Sequence, residues 1–315
     1  MAVGPTHIIA MKKILLILPL VMLTACVSTD PTSSSALSTE GERKLNALFK
    51  EGFNYIQNQG GPYLKSEDIQ RKTELLFWWV DRPYCPHCLP EPPMTADQEI
   101  AYVKTIQAKA ESGDSVSQYL LAVRYLEGKG IGQNTKQGIF WIEKAALNGN
   151  SDAAYSLAQM YDGGLHVDVD KQNAVKFYRI SARKIRVAAY RLGEMYEYGL
   201  GVSKNYTQAM KWYKESGELN GPILKNRFQR AEFSVGRLYA QGKGVPKSYA
   251  EAAEWFLMAS DYGKGYGGMV GEAQCALAIM YSTGLGVKLD NEQAEFWLQR
   301  PNTQSYCHSL MTSHT

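Results

Sequence analysis

Apolar and small residues recur at helical spacing before a tyrosine that is repeated along the chain. They stand four, three and one positions before the tyrosine; in the unit of Tyr196, for example, they are Leu192, Gly193 and Met195. This spacing places them on one stripe of an amphipathic helix. The tyrosine recurs at intervals of 36, 35, 43 and 42 residues: Tyr125, Tyr161, Tyr196, Tyr239 and Tyr281. The pattern predicts a structural unit that occurs five times.

Each unit continues with a turn and a second helix. Glycines follow the tyrosine by three and five positions in four units, but the second unit has Gly164 and then His166. A glycine can end a helix in the left-handed conformation at little cost. Nine positions after the tyrosine stand residues that favour helix N-caps: Asn134, Asp170, Asn205, Ser248 and Asp290. Seven positions later come aromatic residues: Trp141, Phe177, Trp212, Trp255 and Trp297.

These features predict antiparallel hairpins, each made of a helix A that carries the tyrosine and a helix B that follows the turn. One hairpin cannot bury its apolar face alone, so neighbouring hairpins should stack into a solenoid. The segments AAYRLGEMYEYGLGV at 188–202 and KWYKES at 211–216 resemble the Sel-one-like repeat family, which is related to tetratricopeptide repeats. The resemblance implies an all-α, right-handed α-solenoid over 115–300 with a helical N-terminal extension. Residues 301–315 would form a C-terminal tail.

The N-terminal residues have the form of a secretory signal. Two lysines precede ILLILPLVML, and this apolar run is too short to span a bilayer. The ending Leu23-Thr24-Ala25-Cys26 resembles the lipobox of bacterial lipoproteins. The resemblance implies that residues 1–25 are removed and that acyl chains are attached at Cys26. Val27, where that family's inner-membrane proteins have Asp, indicates an outer-membrane lipoprotein that faces the periplasm.

The next two segments differ in composition. Residues 26–40 are rich in Ser and Thr, which predicts a flexible tether. Residues 41–114 predict a helical region, with helices over 41–58 and 66–79 and a third that opens at Thr95 with a capping box to Gln98. We interpret residues 66–114 as a degenerate repeat whose inter-helix loop holds the Cys-Pro-His-Cys motif. Loss of Lys12 and Lys13 lowers the formal net charge from +3 to about +1, so no strong field would attract nucleic acid.

The chain has two cysteine pairs after Cys26. Cys85-Pro-His-Cys88 resembles the active site of oxidising thioredoxin-fold enzymes, but three prolines follow it where such a site needs a helix. A structural disulfide, a reactive pair and a metal half-site with His87 all remain open for this motif. Cys275 lies near the start of the last helix A, and helix B returns the chain toward that end. We therefore predict a disulfide between Cys275 and Cys307.

Two sets of aromatic residues are candidates for partner contact. Trp78 and Trp79 lie in a dense aromatic cluster, which could equally be a core of the N-terminal helices. Four repeats also carry an aromatic residue six positions before the tyrosine: Tyr119, Tyr155, Tyr190 and Phe233. These could form a binding ladder or pack in the core.

No catalytic motif other than the Cys85/Cys88 pair is recognisable, and we expect no catalytic residues, cofactor, metal or nucleic-acid partner. The resemblance implies a protein-binding role, since lipoproteins with these repeats are often immunity partners of antibacterial effectors. A secreted toxin, for example a type VI secretion phospholipase, would then be the partner. The alternatives are an envelope scaffold or adaptor and a thiol-disulfide oxidoreductase that acts through Cys85 and Cys88.

Overall fold

The computed structural model describes residues 31–58, 94–218, 229–260 and 270–300, together with Thr303 and Cys307. Within these ranges the chain forms twelve helices and no strand, which confirms the all-α prediction. The helices are α1 (Pro31–Asn58), α2 (Ala96–Glu111), α3 (Ser115–Glu127), α4 (Thr135–Leu147), α5 (Ser151–Gly163), α6 (Lys171–Ser181), α7 (Arg186–Tyr198), α8 (Tyr206–Glu218), α9 (Gln229–Gln241), α10 (Tyr249–Ser260), α11 (Val270–Thr283) and α12 (Asn291–Leu298). Across the described part, every helix is too short or too polar to span a lipid bilayer.

Helices α3 to α12 form the five predicted hairpins. Helix A is α3, α5, α7, α9 or α11. Each helix B packs on its own helix A, and in the first four repeats it also packs on the helix A of the next repeat. The predicted apolar stripe is buried. Its residues four positions before the repeated tyrosine are fully inaccessible to solvent in all five repeats: Leu121, Leu157, Leu192, Val235 and Leu277. The solenoid prediction is therefore confirmed.

The turn between helix A and helix B has the same hydrogen bonds in every repeat. The N–H of the N-cap residue donates to the carbonyl of the repeated tyrosine at 2.8–3.0 Å. The side chain of the N-cap residue accepts a hydrogen bond from the N–H three residues further on, at 2.9–3.2 Å. The five predicted N-caps are confirmed, and each satisfies an orphan amide of helix B.

The second glycine of the turn has a role that the sequence did not predict. Gly201 has a φ of +69°, and a Cβ added there would lie 2.2 Å from the carbonyl oxygen of Lys171, the first residue of the preceding helix B. Gly244 and Gly286 approach the preceding repeat in the same way. His166 occupies this position in the second repeat and also has a positive φ, 62°. The glycine is thus required for contact between repeats as well as for the turn.

The N-terminal helix α1 packs on the last repeat. Leu45, Leu48 and Phe49 are buried in a core that α1 shares with the last two repeats. The ring of Phe49 lies 6.2 Å from that of Phe233 and 6.1 Å from that of Phe256. The sequence predicted a helix over 41–58 but did not predict where it docks.

The predicted flexible tether over 26–40 is wrong for residues 31–40, which are helical. Pro31 suits the first turn of a helix because its missing N–H would have no partner there. The residues after Gly41 dock on the last two repeats, so the first helical turns are already formed there. Extending the helix from these turns toward the N-terminus through Ser and Thr then costs little free energy per residue. The predicted third helix is present as α2 with its capping box. The predicted helix over 66–79 lies outside the described residues.

A matched pair of substitutions tests the contact between repeats. We expect Gly201→Ala to lower the free energy of unfolding by about 2–4 kcal/mol, since the left-handed conformation and the backbone clash both oppose it. Gly199→Ala should cost about 1 kcal/mol, because an added Cβ there meets nothing closer than 3.5 Å. Urea unfolding followed by circular dichroism measures both. Equal losses would show that the second glycine serves the turn alone.

Candidate functional site

The aromatic residues six positions before the repeated tyrosine lie between helices A and B. Tyr190 packs on Tyr213 with ring centroids 5.3 Å apart, and Phe233 packs on Phe256 at 5.4 Å. Tyr190 is 2% exposed and Phe233 is 6% exposed, so neither can offer a surface to a partner. The binding-ladder hypothesis is wrong for these two residues, because the position faces the hairpin core.

The other two members of the ladder are half-buried and hydrogen-bonded. The hydroxyl of Tyr119 lies 3.0 Å from that of Ser156 in the next repeat, and Tyr155 accepts a hydrogen bond from Gln159. Burial raises the pKa of Tyr119 to about 12. These contacts make both residues part of the packing between helices.

The cysteines fall in two groups. Cys275 and Cys307 form a disulfide, as the sequence predicts, with Cα atoms 5.3 Å apart and both residues fully buried. Thr303 donates a hydrogen bond to Gln274 at 2.9 Å, so Thr303 is also held against α11. The other predicted residues, Cys26, Trp78, Trp79, Cys85 and Cys88, lie outside the described residues.

A buried ion cluster joins the second and third repeats. Asp162, which directly follows the repeated tyrosine, accepts hydrogen bonds from Arg191 of the next helix A at 2.8 and 3.2 Å. It also accepts from Lys171 at 2.6 Å and from the Tyr178 hydroxyl at 3.2 Å. Arg191 donates in addition to Glu194 at 3.0 Å. We call these residues the first clamp.

The third and fourth repeats are joined in the same way. Glu197 directly follows the repeated tyrosine of its own repeat and accepts two hydrogen bonds from Arg237, at 2.6 and 2.7 Å. The Tyr213 hydroxyl donates to it at 2.8 Å. We call these three residues the second clamp. Both clamps use a carboxylate on helix A, a tyrosine on its own helix B and an arginine from the next repeat.

The clamps determine which carboxyl groups are ionised. Burial opposes ionisation of Asp162 and Glu197, but the arginines outweigh it and hold the pKa of both carboxyls below the usual range. Glu194 differs, because burial outweighs its single contact with Arg191 and raises its pKa. Glu194 is 1% exposed, and its Oε1 has no hydrogen-bond partner. The middle repeats therefore bury two carboxylates, Asp162 and Glu197, that their arginine partners keep ionised.

Sequence reasoning missed both clamps, although it could have found a signal for them. The residue after the repeated tyrosine is acidic only in the second and third repeats; in the others it is Leu126, Ala240 or Ser282. The same two repeats have a tyrosine directly after the helix-B aromatic residue. This co-occurrence is visible in the alignment of the units, but the arginines stand at different positions in their repeats and break the pattern.

Glu272 is a further buried carboxyl, in the first turn of α11. Its Oε2 has no hydrogen-bond partner among the described residues. The positive charge of Arg230 favours the ionised form of Glu272, but burial opposes it more strongly. Burial raises the pKa of Glu272 to about 7. No group of His, Cys, Asp and Glu side chains in the described ranges has an arrangement that could hold a metal ion.

The fold and the clamps define an α-helical repeat protein. Its consecutive hairpins pack on each other, and the clamps join the second, third and fourth repeats. The five repeats match the Sel1 repeat model at residues 115–150, 151–184, 186–221, 229–263 and 271–300, just over half of the chain. The chain belongs to the Sel1 repeat family, whose members bind protein partners. None of the curated proteins matches the sequence.

Three solved structures are similar to this chain. A Sel1 repeat protein from Oxalobacter formigenes is 27% identical with a TM-score of 0.51, over 67% of this chain and 84% of its own. A protective antigen present in uropathogenic Escherichia coli strains, described as displaying an SLR fold, is 24% identical with a TM-score of 0.50, over 77% of this chain and 49% of its own. Immunity protein Pa5087 from Pseudomonas aeruginosa is 16% identical with a TM-score of 0.33, over 70% of this chain and 85% of its own, a likeness too low to carry a functional argument.

Removal of one clamp arginine should be strongly destabilising. Arg237→Met leaves Glu197 buried without its counter-charge, and we expect the free energy of unfolding to fall by about 3–5 kcal/mol. Arg179→Met is the matched control, since Arg179 is exposed and its contacts among the described residues are with the hydroxyl and the ring of Tyr196. The control should change stability by less than about 0.5 kcal/mol. Chemical unfolding measures both, and similar small losses would contradict a stabilising role for the second clamp.

Glu272 should make stability fall as the pH rises. Its pKa is about 7 in the folded chain against 4.5 for the free side chain, so between these values the unfolded state ionises and the folded state does not. Stability is lost over this window, by about 3 kcal/mol at the alkaline end. Glu272→Gln removes the loss and should raise the melting temperature at pH 8 much more than at pH 5. Glu254→Gln, at an exposed position on α10, is the control. An unchanged pH slope in Glu272→Gln would contradict the assignment.

Proposed function

We propose that this protein is an outer-membrane lipoprotein that faces the periplasm and neutralises an antibacterial effector by binding it directly. The observation that carries the proposal is the Sel1 repeat solenoid, a fold whose family members bind other proteins. The lipobox that ends at Cys26 supports the location. An effector that acts in the periplasm, such as a phospholipase delivered by type VI secretion, is the partner that fits a binding protein at this place.

The clamps support a role as a preformed binding surface. They fix the second, third and fourth repeats relative to each other through charge-assisted hydrogen bonds of 2.6–3.2 Å. A surface that is already ordered loses less conformational entropy when a partner binds. An inhibitor that covers an active site gains affinity from this rigidity without any chemistry of its own.

One edge of the first repeat offers apolar contacts to such a partner. Val116 begins helix A and Leu147 ends helix B, and they are 56% and 57% exposed. They lie at the same end of the hairpin, since Asn150 donates a hydrogen bond to the Ser115 carbonyl at 3.2 Å. Exposed apolar side chains on a monomer mark interaction sites when they stand close together. We propose this edge as the partner-contact surface.

The test is a pull-down with a soluble form that begins at Ser28, which keeps α1 whole. Mixed with secreted and envelope fractions, it should capture one secreted toxin at equal stoichiometry, identified by mass spectrometry. Addition of the purified protein should then inhibit that toxin. No captured toxin would contradict the proposal.

Variants locate the surface. Val116→Asp with Leu147→Asp should weaken the affinity for the captured toxin by at least about tenfold, since charges would be forced into an apolar contact. Leu289→Asp is the control, because Leu289 is also exposed but lies in a turn of the last repeat. Equal effects of the two changes would remove the first repeat from the interface.

The role in cells is measured by competition. Deletion of the gene should make cells more sensitive to the secretion system of a sister strain, and the wild-type gene should restore resistance while the Val116/Leu147 variant should not. Unchanged sensitivity after deletion would exclude the immunity role.

A further inference from the structure

The direction of α1 is fixed by its contacts along the last repeats. Gly41 meets Thr283 so closely that an added Cβ would lie 2.2 Å from the threonine hydroxyl oxygen. Lys247, in the turn after α9, donates to Glu42 at 2.5 Å. Phe49 contacts Phe233, near the start of α9. Helix α1 therefore runs antiparallel to helices A, and its N-terminus leaves the body at the turns between helices A and B.

This geometry limits where a lipid on Cys26 can lie. The helix from Gly41 back to Pro31 is about 15 Å long. Four residues separate Pro31 from Cys26, and this connection spans at most about 18 Å. Hairpin layers of a solenoid are about 10 Å deep, so the first repeat lies about 40 Å from the last. An acyl group on Cys26 can therefore lie at most about 33 Å from Gly41, which places it nearer to the turns of the last repeats than to the first repeat.

The turns at this edge are basic. Residues 199–205, 242–248 and 284–290 contain four lysines, Lys204, Lys243, Lys247 and Lys288, and one acidic residue, Asp290, which caps α12. Within the described part of the chain, Lys204 and Lys288 are exposed and form no ion pair. Two further carboxylates, Glu251 and Glu292, lie one helical turn further in. The tips of the turns are therefore positive.

The first two repeats differ at the same edge. Their turns, residues 128–134 and 164–170, hold one lysine against two aspartates. Lys129, the lysine of the first turn, pairs with Glu127 at 3.0 Å. Lys204 and Lys288, which form no ion pair within the described residues, both lie in the three turns nearest to the end of α1. Leu289 in the last turn and Leu37 on α1 are 46% and 40% exposed, so this edge also carries apolar side chains that could enter a headgroup layer.

We propose that the turns at 199–205, 242–248 and 284–290, together with Leu37 of α1, form a membrane-facing edge that contacts anionic lipid headgroups. Lysines near an anionic bilayer are attracted to it, and the acyl anchor keeps them within reach. The proposal rests on the lipid anchor of the proposed function. With the membrane-facing edge on the bilayer, the opposite edge of the first repeat, which carries Val116 and Leu147, would point away from the bilayer and into the periplasm.

The experiment is lysine footprinting of the full-length protein, matured in bacterial cells and inserted into vesicles of phosphatidylethanolamine and phosphatidylglycerol. An amine-reactive acetylating reagent and mass spectrometry give the labelling rate of each lysine, on vesicles and in detergent. Lys204 and Lys288 should react about threefold or more slowly on vesicles. Lys109 and Lys184, exposed at the opposite edge, should react at unchanged rates. Equal protection of the two pairs overturns the proposal.

Charge reversal separates lipid contact from simple shielding. Lys204→Glu with Lys288→Glu should weaken the sedimentation of the unlipidated protein with phosphatidylglycerol vesicles to the level seen with phosphatidylcholine vesicles. Lys109→Glu with Lys184→Glu should leave sedimentation unchanged. Equal effects of the two double variants, or no effect of either, would contradict a specific basic edge.

The mass of the peptide that contains Cys26 shows whether a negative result concerns the membrane-facing edge alone or the lipid anchor as well. An acylated Cys26 without protection of Lys204 and Lys288 overturns the membrane-facing edge and leaves the anchor and the partner binding intact. An unmodified Cys26 in a protein that does not fractionate with membranes overturns the anchor, and the edge proposal with it.

Discussion

The structure depends on the close approach of each turn to the helix of the preceding repeat. The second glycine of the turn lies where a Cβ would overlap the backbone of that helix, as Gly201 does with Lys171. In the third, fourth and fifth repeats main chain meets main chain here, so the separation from the preceding repeat is set without any side chain between them. The second repeat has His166 at this position, also with a positive φ. The N-cap residue then fixes the direction of helix B by bonding back to the tyrosine carbonyl. Stacking of the hairpins and burial of the apolar stripe both follow from this spacing.

The middle of the solenoid adds a second constraint, which is electrostatic. A buried ion pair gains little net free energy over an apolar contact, but it is costly to break because a charge would remain buried alone. Asp162 and Glu197 thus oppose any sliding of one repeat on the next, since each must keep its arginine in place. The pairing also explains why Arg191 and Arg237 can lie inside the fold. The last repeat, in contrast, depends on apolar packing, with Ala273, Leu277 and Met280 fully buried.

The sequence predicted the parts of the fold that are encoded locally and repeated. The tyrosine spacing and the N-caps such as Asn134 depend on residues within one unit, and repetition makes the signal strong. The pairing of Cys275 with Cys307 could be predicted because the last helix B returns the chain toward Cys275. The clamps were missed because Arg191 and Arg237 stand at different positions in their repeats, five and two residues before the tyrosine. The docking of α1 was missed because contact between Gly41 and Thr283 joins residues far apart in sequence, and no periodicity reports it. The aromatic ladder was ambiguous because helical spacing cannot tell whether a residue faces helix B or solvent.

The position of α1 explains how the last repeat is closed. Helix α11 is buried along Gly271–Met280, so it needs neighbours on all sides. Helices α10 and α12 cover two sides, the disulfide to Cys307 holds a third segment against it, and α1 covers the rest. Terminal repeats of a solenoid need such a cap, and here the cap is the helix nearest to the predicted lipid anchor. Release of α1 from Thr283 would uncover α11. Under the proposed lipid anchor it would also free the solenoid to turn relative to the membrane. At the other end of the solenoid, α2 packs on α3 of the first repeat. Val116 and Leu147, on the edge proposed for partner contact, are exposed in the described part of the chain and lie in a different repeat from those that α1 covers.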